Sequence, residues 1–388
     1  MNRKQFLWLL LALAVLGGAS LALFWQDITA YRASGAKIGA RLVPEIRVSD
    51  IAKVRLQDAA DETTLVLRDS VWRVEQRGGY PADFAEISAF ILKLLDVKVV
   101  QSEKVGASLH GRLNLLAPGK GGGTDGKEGV GTQVELSDAS GKILASLMLG
   151  KVSLKKDPLN PLPSAKDGVP AGRHMLAPGH SDNVVVVSDP LEKANTAPGA
   201  WLARDFFKAE RIRTLQLSGE GVSGWKIARD EEWGQWKFVT GSGLLNPSAA
   251  VSVTNALSGL AFSDVVTDDK AGTDRLAVLT AETFDNLTYI IRLSPQADGD
   301  AILRFSVSGA PPKVRKPERN EKPEDTAKLD KAHADMLQRL EARVMLEQAR
   351  SQWAYRLPAK AVSGLLLKRE QMVVPPPSAR DVPPPGPR

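Results

Sequence analysis

The stretch Ile51-Ala-Lys-Val-Arg-Leu56 alternates apolar and polar side chains, which is the pattern of a half-buried β-strand. The stretch Ile212-Arg-Thr-Leu-Gln-Leu217 has the same alternation and opens a similar series of segments later in the chain. In each series, strand-like segments lead to an amphipathic helix and then to further strand-like segments. The sequence therefore predicts an α+β fold that contains two duplicated, antiparallel-rich domains.

Similar spacings link the two series. Three residue pairs have nearly the same separation, which is 164 residues for Trp72 and Trp236, 163 for Arg112 and Arg275, and 166 for Val100 and Val266. A period this long indicates two homologous domains, because the repeats of solenoid proteins span about 20–50 residues. We interpret both tryptophans as sheet-core residues that lie beneath the helix of each domain.

Both helices have start signals. Asp83 with Glu86 matches a capping box, and Asn246 precedes a proline at the first helical position. After the helix and its following strand we expect each series to be closed by Gly111–Leu116 or by Asp274–Leu279. Further strands are expected at Thr132–Leu136, Ile143–Leu149 and Val184–Ser188, with Thr288–Leu293, Ala301–Val307 and Leu365–Lys368 as their counterparts.

The N-terminus carries an apolar run. Arg3 and Lys4 precede 19 residues without a charge, which extend from Phe6 to Phe24. As a helix this run would be about 28 Å long, close to the thickness of the bilayer hydrocarbon. We predict a single transmembrane helix in the inner membrane that contacts the lipid bilayer through residues 6–25, with the bulk of the chain in the periplasm. A cleavable signal peptide is the alternative.

The composition narrows the class of protein. The chain has 388 residues, of which 43% are hydrophobic and 25% are charged, so it has enough apolar residues for a folded core. It has no cysteine, which excludes thiolate metal sites, cysteine nucleophiles and disulfides. The net charge is +6, and basic residues are interspersed with acidic ones, so we expect no nucleic acid partner.

Three segments depart from the duplicated pattern. Gly119–Gly131 is rich in glycine and is predicted to be a flexible loop. The charged segment 311–350 is predicted to be a helical insertion, whose helix at 324–352 either folds back on the second domain or docks on another protein. The expected organisation is an anchor at 1–27, a linker at 28–45, domains at 46–205 and 206–370, and a disordered Pro-rich tail at 371–388.

No arrangement of residues indicates catalysis, so no catalytic, cofactor-binding or metal-binding residue is predicted. Gly121–Glu128 resembles a phosphate-binding loop, but Glu128 stands where such a loop needs Ser or Thr. The histidines are spread along the sequence and are interpreted as residues that bind no metal; they are His110, His174, His180 and His333. We therefore expect a protein that is not an enzyme and needs no cofactor.

The motifs Gly79-Tyr-Pro-Ala-Asp83 and Trp201-Leu-Ala-Arg-Asp205 are fairly specific, and weaker ones accompany them at Ile51–Val54, Trp72–Val74, Val97–Val100, Gly111–Leu113, Leu149–Lys151 and Val187–Pro190. Together with the N-terminal span they resemble the bacterial family called domain of unknown function 4340, over residues 1–370. The resemblance implies a membrane-anchored envelope protein, often associated with transporters of the ATP-binding-cassette type. It is similar to the auxiliary subunits of gliding-motility-type export systems. The family supplies no catalytic residue.

The leading hypothesis is a non-enzymatic, membrane-anchored periplasmic accessory subunit of an ATP-binding-cassette transport or export complex. Its partners would be the permease and ATPase subunits of that complex, and it would act by binding protein or substrate. The alternative is an envelope module that binds or hydrolyses carbohydrate in a cleft between the two repeats.

Overall fold

The computed structural model describes residues 37–374 except 44, 124, 156–167, 178, 180–181, 220, 268–276, 316 and 318–320. The predicted anchor at 1–27 and most of the predicted linker lie outside the described residues, as does the chain beyond Val374. In the part that is described, none of the helices combines the length and the apolar character that crossing a bilayer requires.

The fold is mixed α+β with two mostly antiparallel sheets. Contacts between residues divide the chain into a first unit, Met1–Ala203, and a second unit, Arg204–Arg388. Each unit contains one of the two sheets and a helix with a buried apolar stripe.

The first unit has a nine-stranded sheet. Its elements are β1 (Lys53–Gln57), β2 (Glu62–Arg68), β3 (Val71–Val74), β4 (Tyr80–Pro81), α1 (Phe84–Asp96), β5 (Val99–Lys104), β6 (Thr132–Ser137), β7 (Ile143–Lys155), β8 (Val169–Leu176) and β9 (Asn183–Val187). The strand order is β4-β3-β2-β1-β6-β7-β8-β9-β5, and neighbouring strands are antiparallel.

The second unit has an eight-stranded sheet. Its elements are β10 (Ile212–Gly219), β11 (Trp225–Ala228), β12 (Lys237–Phe238), α2 (Pro247–Ser258), β13 (Asp264–Val266), β14 (Ala277–Thr283), β15 (Leu287–Pro295), β16 (Ala301–Gly309), α3 (Pro323–Arg350), β17 (Ala354–Leu357) and α4 (Ala359–Leu365). The strand order is β12-β11-β10-β14-β15-β16-β17-β13. When β4 is set aside, the two sheets have the same order of strands along the chain.

The first unit is closed by a short pairing between its two most specific sequence motifs. The backbone N–H of Asp83 donates to the carbonyl of Trp201 at 2.8 Å, and that of Ala203 donates to the carbonyl of Pro81 at 3.0 Å. Trp201 is 2% exposed and meets the ring of Phe90 on α1 edge-on at 5.5 Å. These motifs therefore join the C-terminal end of the unit to the segment that precedes α1, and they cover the helix with an aromatic side chain.

The second unit is closed in the same way. The backbone N–H of Asn246 donates to the carbonyl of Met372 at 2.8 Å, and that of Val374 donates to the carbonyl of Leu244 at 2.9 Å. Met372 is fully buried, in the position that Trp201 has in the first unit. Residues 371–374, which the sequence placed in the tail, therefore belong to this closing segment.

Both helix starts use the predicted side chains, with one difference. The carboxylate of Asp83 accepts from the N–H groups of Ala85 and Glu86, but the carboxylate of Glu86 pairs with Lys193 instead of completing a capping box. In α2, the side chain of Asn246 accepts from the N–H of the second helical residue at 3.0 Å. Both caps satisfy amide groups that the first helical turn leaves without a carbonyl partner.

The predicted correspondences between the later strands of the two units were wrong, although most of the strands themselves are present. Gly111–Leu113 ends a 3₁₀ helix, whereas Ala277–Leu279 lies in β14, so these segments are not counterparts. By sheet position β6 matches β14, β7 matches β15 and β8 matches β16. The last strand of the second unit is β17, and the predicted strand Leu365–Lys368 instead follows the end of α4. Linkers of unequal length shift the spacing and mislead an alignment by constant offset.

The C-terminal half of α3 packs on the second unit. Its buried residues recur every three or four positions and are Leu340, Val344, Glu347 and Arg350. The charged helix therefore folds back on its own unit through this stripe, which is the first of the two predicted possibilities. The first half of α3 is mostly exposed and contacts the preceding loop, where Arg315 forms ion pairs with Glu321 and Asp330.

Gly119–Gly131 is held by hydrogen bonds, in contrast to its predicted flexibility. Gly122 and Glu128 exchange two backbone hydrogen bonds of 2.8 and 3.1 Å. A Cβ atom on Gly131 would lie 2.4 Å from the carbonyl oxygen of Asn114 and 2.6 Å from that of Leu149. The glycines here allow close backbone packing, which composition alone does not distinguish from flexibility.

Candidate functional site

The second unit has a cleft of about 550 Å³, which we call the tryptophan cleft. Its wall has three parts, which are the start of β10, the loop between β11 and β12, and one face of α2. The lining residues include Arg211, Arg229, Glu232, Trp233, Trp236 and Asn255.

The cleft forms where the strands of the β11–β12 hairpin stop pairing. The ladder of β11 and β12 pairs only Ile227 with Phe238 and Ala228 with Lys237. Residues 229–236 leave the ladder and form a loop that carries two tryptophans. A hairpin this short leaves its loop side chains free to line a neighbouring cleft instead of packing across strands.

The two tryptophans of this loop differ in exposure. Trp233 is 92% exposed, the highest fraction among the exposed large hydrophobic residues that the structure describes. Trp236 is half-buried and has the guanidinium of Arg229 over its ring, 4.8 Å from the ring centre. The loop therefore presents one fixed and one freely exposed indole to the same cleft. The predicted sheet-core position holds for Trp72, which is 7% exposed, but not for Trp236.

Two arginines hold the loop through hydrogen bonds. Arg211 donates to both carboxylate oxygens of Glu232, at 2.9 and 2.8 Å, and also pairs with Asp285. Arg229 donates to the carbonyl of Ile212 at 2.8 Å and to that of Glu232. The hydrogen bond from Arg211 holds the pKa of Glu232 below its usual value, and burial lowers the pKa of Arg229. These charges are engaged within the protein, so they position the loop.

Arg211 has a left-handed backbone, with φ at +49°. For a residue with a Cβ atom this conformation costs about 1–2 kcal/mol. Its ion pairs with Glu232 and Asp285 offset that cost and fix the start of β10 where the cleft forms. Backbone strain of this kind often accompanies functional sites.

The opposite wall of the cleft is polar and uncharged. It is formed by one face of α2, with Thr254, Asn255 and Ser258. The hydroxyl groups of Thr254 and Ser258 donate to carbonyls within the helix at 3.0 Å. Asn255 is exposed, so its amide is available to a bound molecule.

A buried carboxylate fixes α3 on the second unit. Glu347 is 1% exposed and accepts from the hydroxyl of Tyr289 at 2.8 Å and from the backbone N–H of Lys208 at 3.1 Å. Arg343 lies one turn earlier and pairs with Glu210 at 2.7 Å. Burial raises the pKa of Glu347. This cluster is enclosed, so it serves packing of the helix.

The first unit has a smaller pocket of about 230 Å³ beside α1. It is lined by Glu86, Lys193 and Trp201, among others, and Lys193 and Glu86 pair across it. The indole N–H of Trp201 donates to the carbonyl of Asn195 at 2.8 Å. This pocket belongs to the closure of the unit and offers no exposed aromatic side chain.

The described histidines form single contacts to backbone carbonyls, at 3.3 Å for His110, 3.0 Å for His174 and 3.1 Å for His333. His180 lies outside the described residues. Within the described ranges no group of three or more His, Asp or Glu residues could hold a metal ion. The predicted absence of metal and cofactor sites stays a prediction for the whole chain.

Sequence reasoning missed Trp233, although a signal was present. The segment Arg229-Asp-Glu-Glu-Trp-Gly234 places a tryptophan after three consecutive acidic residues, where no apolar periodicity accounts for it. Such a polar turn is an unusual position for a buried tryptophan.

No family model, curated protein or solved structure matches the chain.

Proposed function

We propose that the chain is a non-enzymatic accessory subunit of an ATP-binding-cassette transport complex, anchored in the inner membrane by residues 6–25, with both units in the periplasm. The tryptophan cleft is its binding surface for a partner protein. The resemblance to the family called domain of unknown function 4340 supports the transporter association. The apolar run at Phe6–Phe24 supports the anchor.

The observation that carries the binding role is the exposure of Trp233 beside Trp236 in one cleft. An exposed indole next to a second one is costly to leave in water, and tryptophan is enriched among residues that dominate protein–protein binding energy. The engaged arginines hold the loop in place, so little conformational entropy would be lost on binding.

We further propose that the two units arose by internal duplication. The same strand order and the same pairing of the closing segment support this origin. Functional divergence after duplication accounts for an exposed cleft in one unit and a closed hairpin in the other.

The test is purification of the tagged full chain from detergent-solubilised membranes, followed by identification of what is recovered with it. A matched preparation has residues 1–27 replaced by a cleavable signal peptide. The proposal predicts stoichiometric recovery of a permease and an ATPase with the anchored chain and their loss with the soluble one. Recovery of the chain alone from both preparations would overturn the proposal.

A second candidate function is carbohydrate binding. The specific observation is that the uncharged polar face of α2, with Thr254 and Asn255, lies opposite the indoles of Trp233 and Trp236. Sugars stack their C–H faces on indole rings and hydrogen-bond to amides and hydroxyls at their edges. Calorimetric titration with envelope glycan fragments tests this: heat of binding that disappears in Trp233→Ala supports it, and absence of heat contradicts it.

A further inference from the structure

We propose that the tryptophan cleft binds a proline-rich segment, and that its occupant in the free protein is the chain's own segment 375–388. This inference names the ligand chemistry of the surface that the proposed function also uses. The segment follows the last described residue, Val374, and contains two proline triplets, Pro375–Pro377 and Pro383–Pro385.

The chemistry of the cleft fits such a ligand. Proline-rich segments favour the extended polyproline II conformation, which carries little conformational entropy to be lost on binding. Proteins that recognise it do so with grooves lined by aromatic side chains. Trp233 and Trp236 supply two indoles in one cleft, with Arg229 holding the second in place.

The charges are also complementary. The turn that leads to Trp233 begins with Asp230, Glu231 and Glu232. The side chain of Asp230 is 93% exposed, and its nearest cation, Lys237, is 3.9 Å away. In the proposed ligand, Arg380 lies three residues before the second proline triplet and Arg388 three residues after it, and with Asp381 the segment 375–388 has a net charge of +1. An acidic turn beside an aromatic pair would therefore select a proline run with an arginine within a few residues.

The proposed ligand can reach the cleft within one chain. Val374 is hydrogen-bonded to Leu244, two residues before the N-cap of α2. The cleft lies along this 12-residue helix as far as its end, which is about 18 Å away. Pro383 is nine residues beyond Val374, and nine residues of polyproline II span about 28 Å. The second triplet therefore has length to spare.

Tethering gives the segment an advantage over free ligands. A short flexible connection holds a ligand at an effective concentration on the order of millimolar. A partner that uses the same cleft must displace the segment, so 375–388 acts as a competitor that sets the threshold for partner binding.

The experiment measures binding of a fluorescently labelled peptide of sequence 374–388 by anisotropy. The proteins are the full chain in detergent micelles, a chain that ends at Val374, and the latter with Trp233→Ala or Phe84→Ala. Phe84 is a matched control because it is an exposed aromatic residue of the first unit, 68% exposed. A second peptide replaces Pro383–Pro385 by alanine.

We expect the shortened chain to bind the peptide. The full chain should bind it about ten-fold more weakly, because its own segment competes. Within the shortened chain, Trp233→Ala should lower the affinity at least ten-fold, and Phe84→Ala should leave it unchanged. The alanine peptide should not bind. Absence of binding to the shortened chain, or equal binding by Trp233→Ala, would overturn the proposal. Equal binding by the full and shortened chains would overturn occupancy by the chain's own segment. If the permease and ATPase still copurify while the peptide fails to bind, this inference fails and the accessory role stands.

Discussion

The two hairpins beside the central strands, β2–β3 and β11–β12, begin alike and end differently. Each has an equivalent first pair, Leu65 with Val74 and Ile227 with Phe238. In the first unit the ladder continues to a two-residue turn, with Trp72 paired opposite Leu67 and buried. In the second unit the ladder stops after one more pair, and the intervening segment is two residues longer.

This difference shows how two sheets with the same strand order can present different surfaces at equivalent hairpins. Beyond Ala228 and Lys237 the two strands do not pair, and the side chain of Arg229 donates to the carbonyls of Ile212 and Glu232. The residues freed from the ladder then include Trp233 and Trp236. The sheet itself is unaffected, since β10 keeps its pairing with β11 and β14.

The largest expected loss of stability is in the closing segments around Trp201 and Met372, where the two units are alike. Trp201→Ala should destabilise the first unit by about 3–5 kcal/mol, and Met372→Ala should destabilise the second by about 2–5 kcal/mol, because each removes a buried side chain from the same place. Urea-induced unfolding, monitored by hydrogen exchange of the backbone amides in each unit, measures both losses of stability. A large effect in one unit with none in the other would show that the two closures are not equivalent.

A smaller effect is expected at the helix caps. Asp83→Ala and Asn246→Ala should each cost about 1 kcal/mol. The cost should be larger for Asp83, whose carboxylate accepts from two N–H groups, whereas Asn246 accepts from one. The same unfolding measurement checks the order, and a larger loss for Asn246→Ala would contradict it.

The stability that α3, the helical insertion of the second unit, contributes should depend on pH. Burial raises the pKa of Glu347 above its usual value of 4.5. The unfolded chain then releases this proton at a lower pH than the folded one, so the carboxyl destabilises the fold as pH rises above 4.5. Relative to Glu347→Gln, the wild-type chain should lose stability between pH 4.5 and the raised pKa.

Chemical denaturation of both proteins across this pH range gives the comparison. Taking the difference between them cancels the contributions of the other carboxylates. A difference that does not vary with pH, or that grows in favour of the wild type as pH rises, would contradict the raised pKa.

The smallest stability effect is expected at the residue with the largest proposed functional effect. Trp233→Ala should change the free energy of unfolding by less than about 0.5 kcal/mol, because the side chain is 92% exposed. A loss of more than 1 kcal/mol would mean that the indole packs on the protein in solution.

Much of the scaffold was predictable from local patterns. Alternation located β1 and β10, and capping residues located the starts of α1 and α2, because both signals act within a few residues. The match of β6 with β14 was not predictable, because the linkers before them differ in length and no local signal counts strands. Trp236 was predicted to lie in the sheet core because it opens the strand-like stretch Trp236–Val239. In the structure the paired residues begin only at Lys237.

The most direct measurement is copurification of the permease and ATPase with three versions of the full chain, namely wild type, Trp233→Ala and Phe84→Ala. The account predicts stoichiometric recovery with wild type and with Phe84→Ala, and loss of at least ten-fold with Trp233→Ala at unchanged stability. Equal recovery with all three versions would contradict the central claim that the opened hairpin of the second unit is the binding surface.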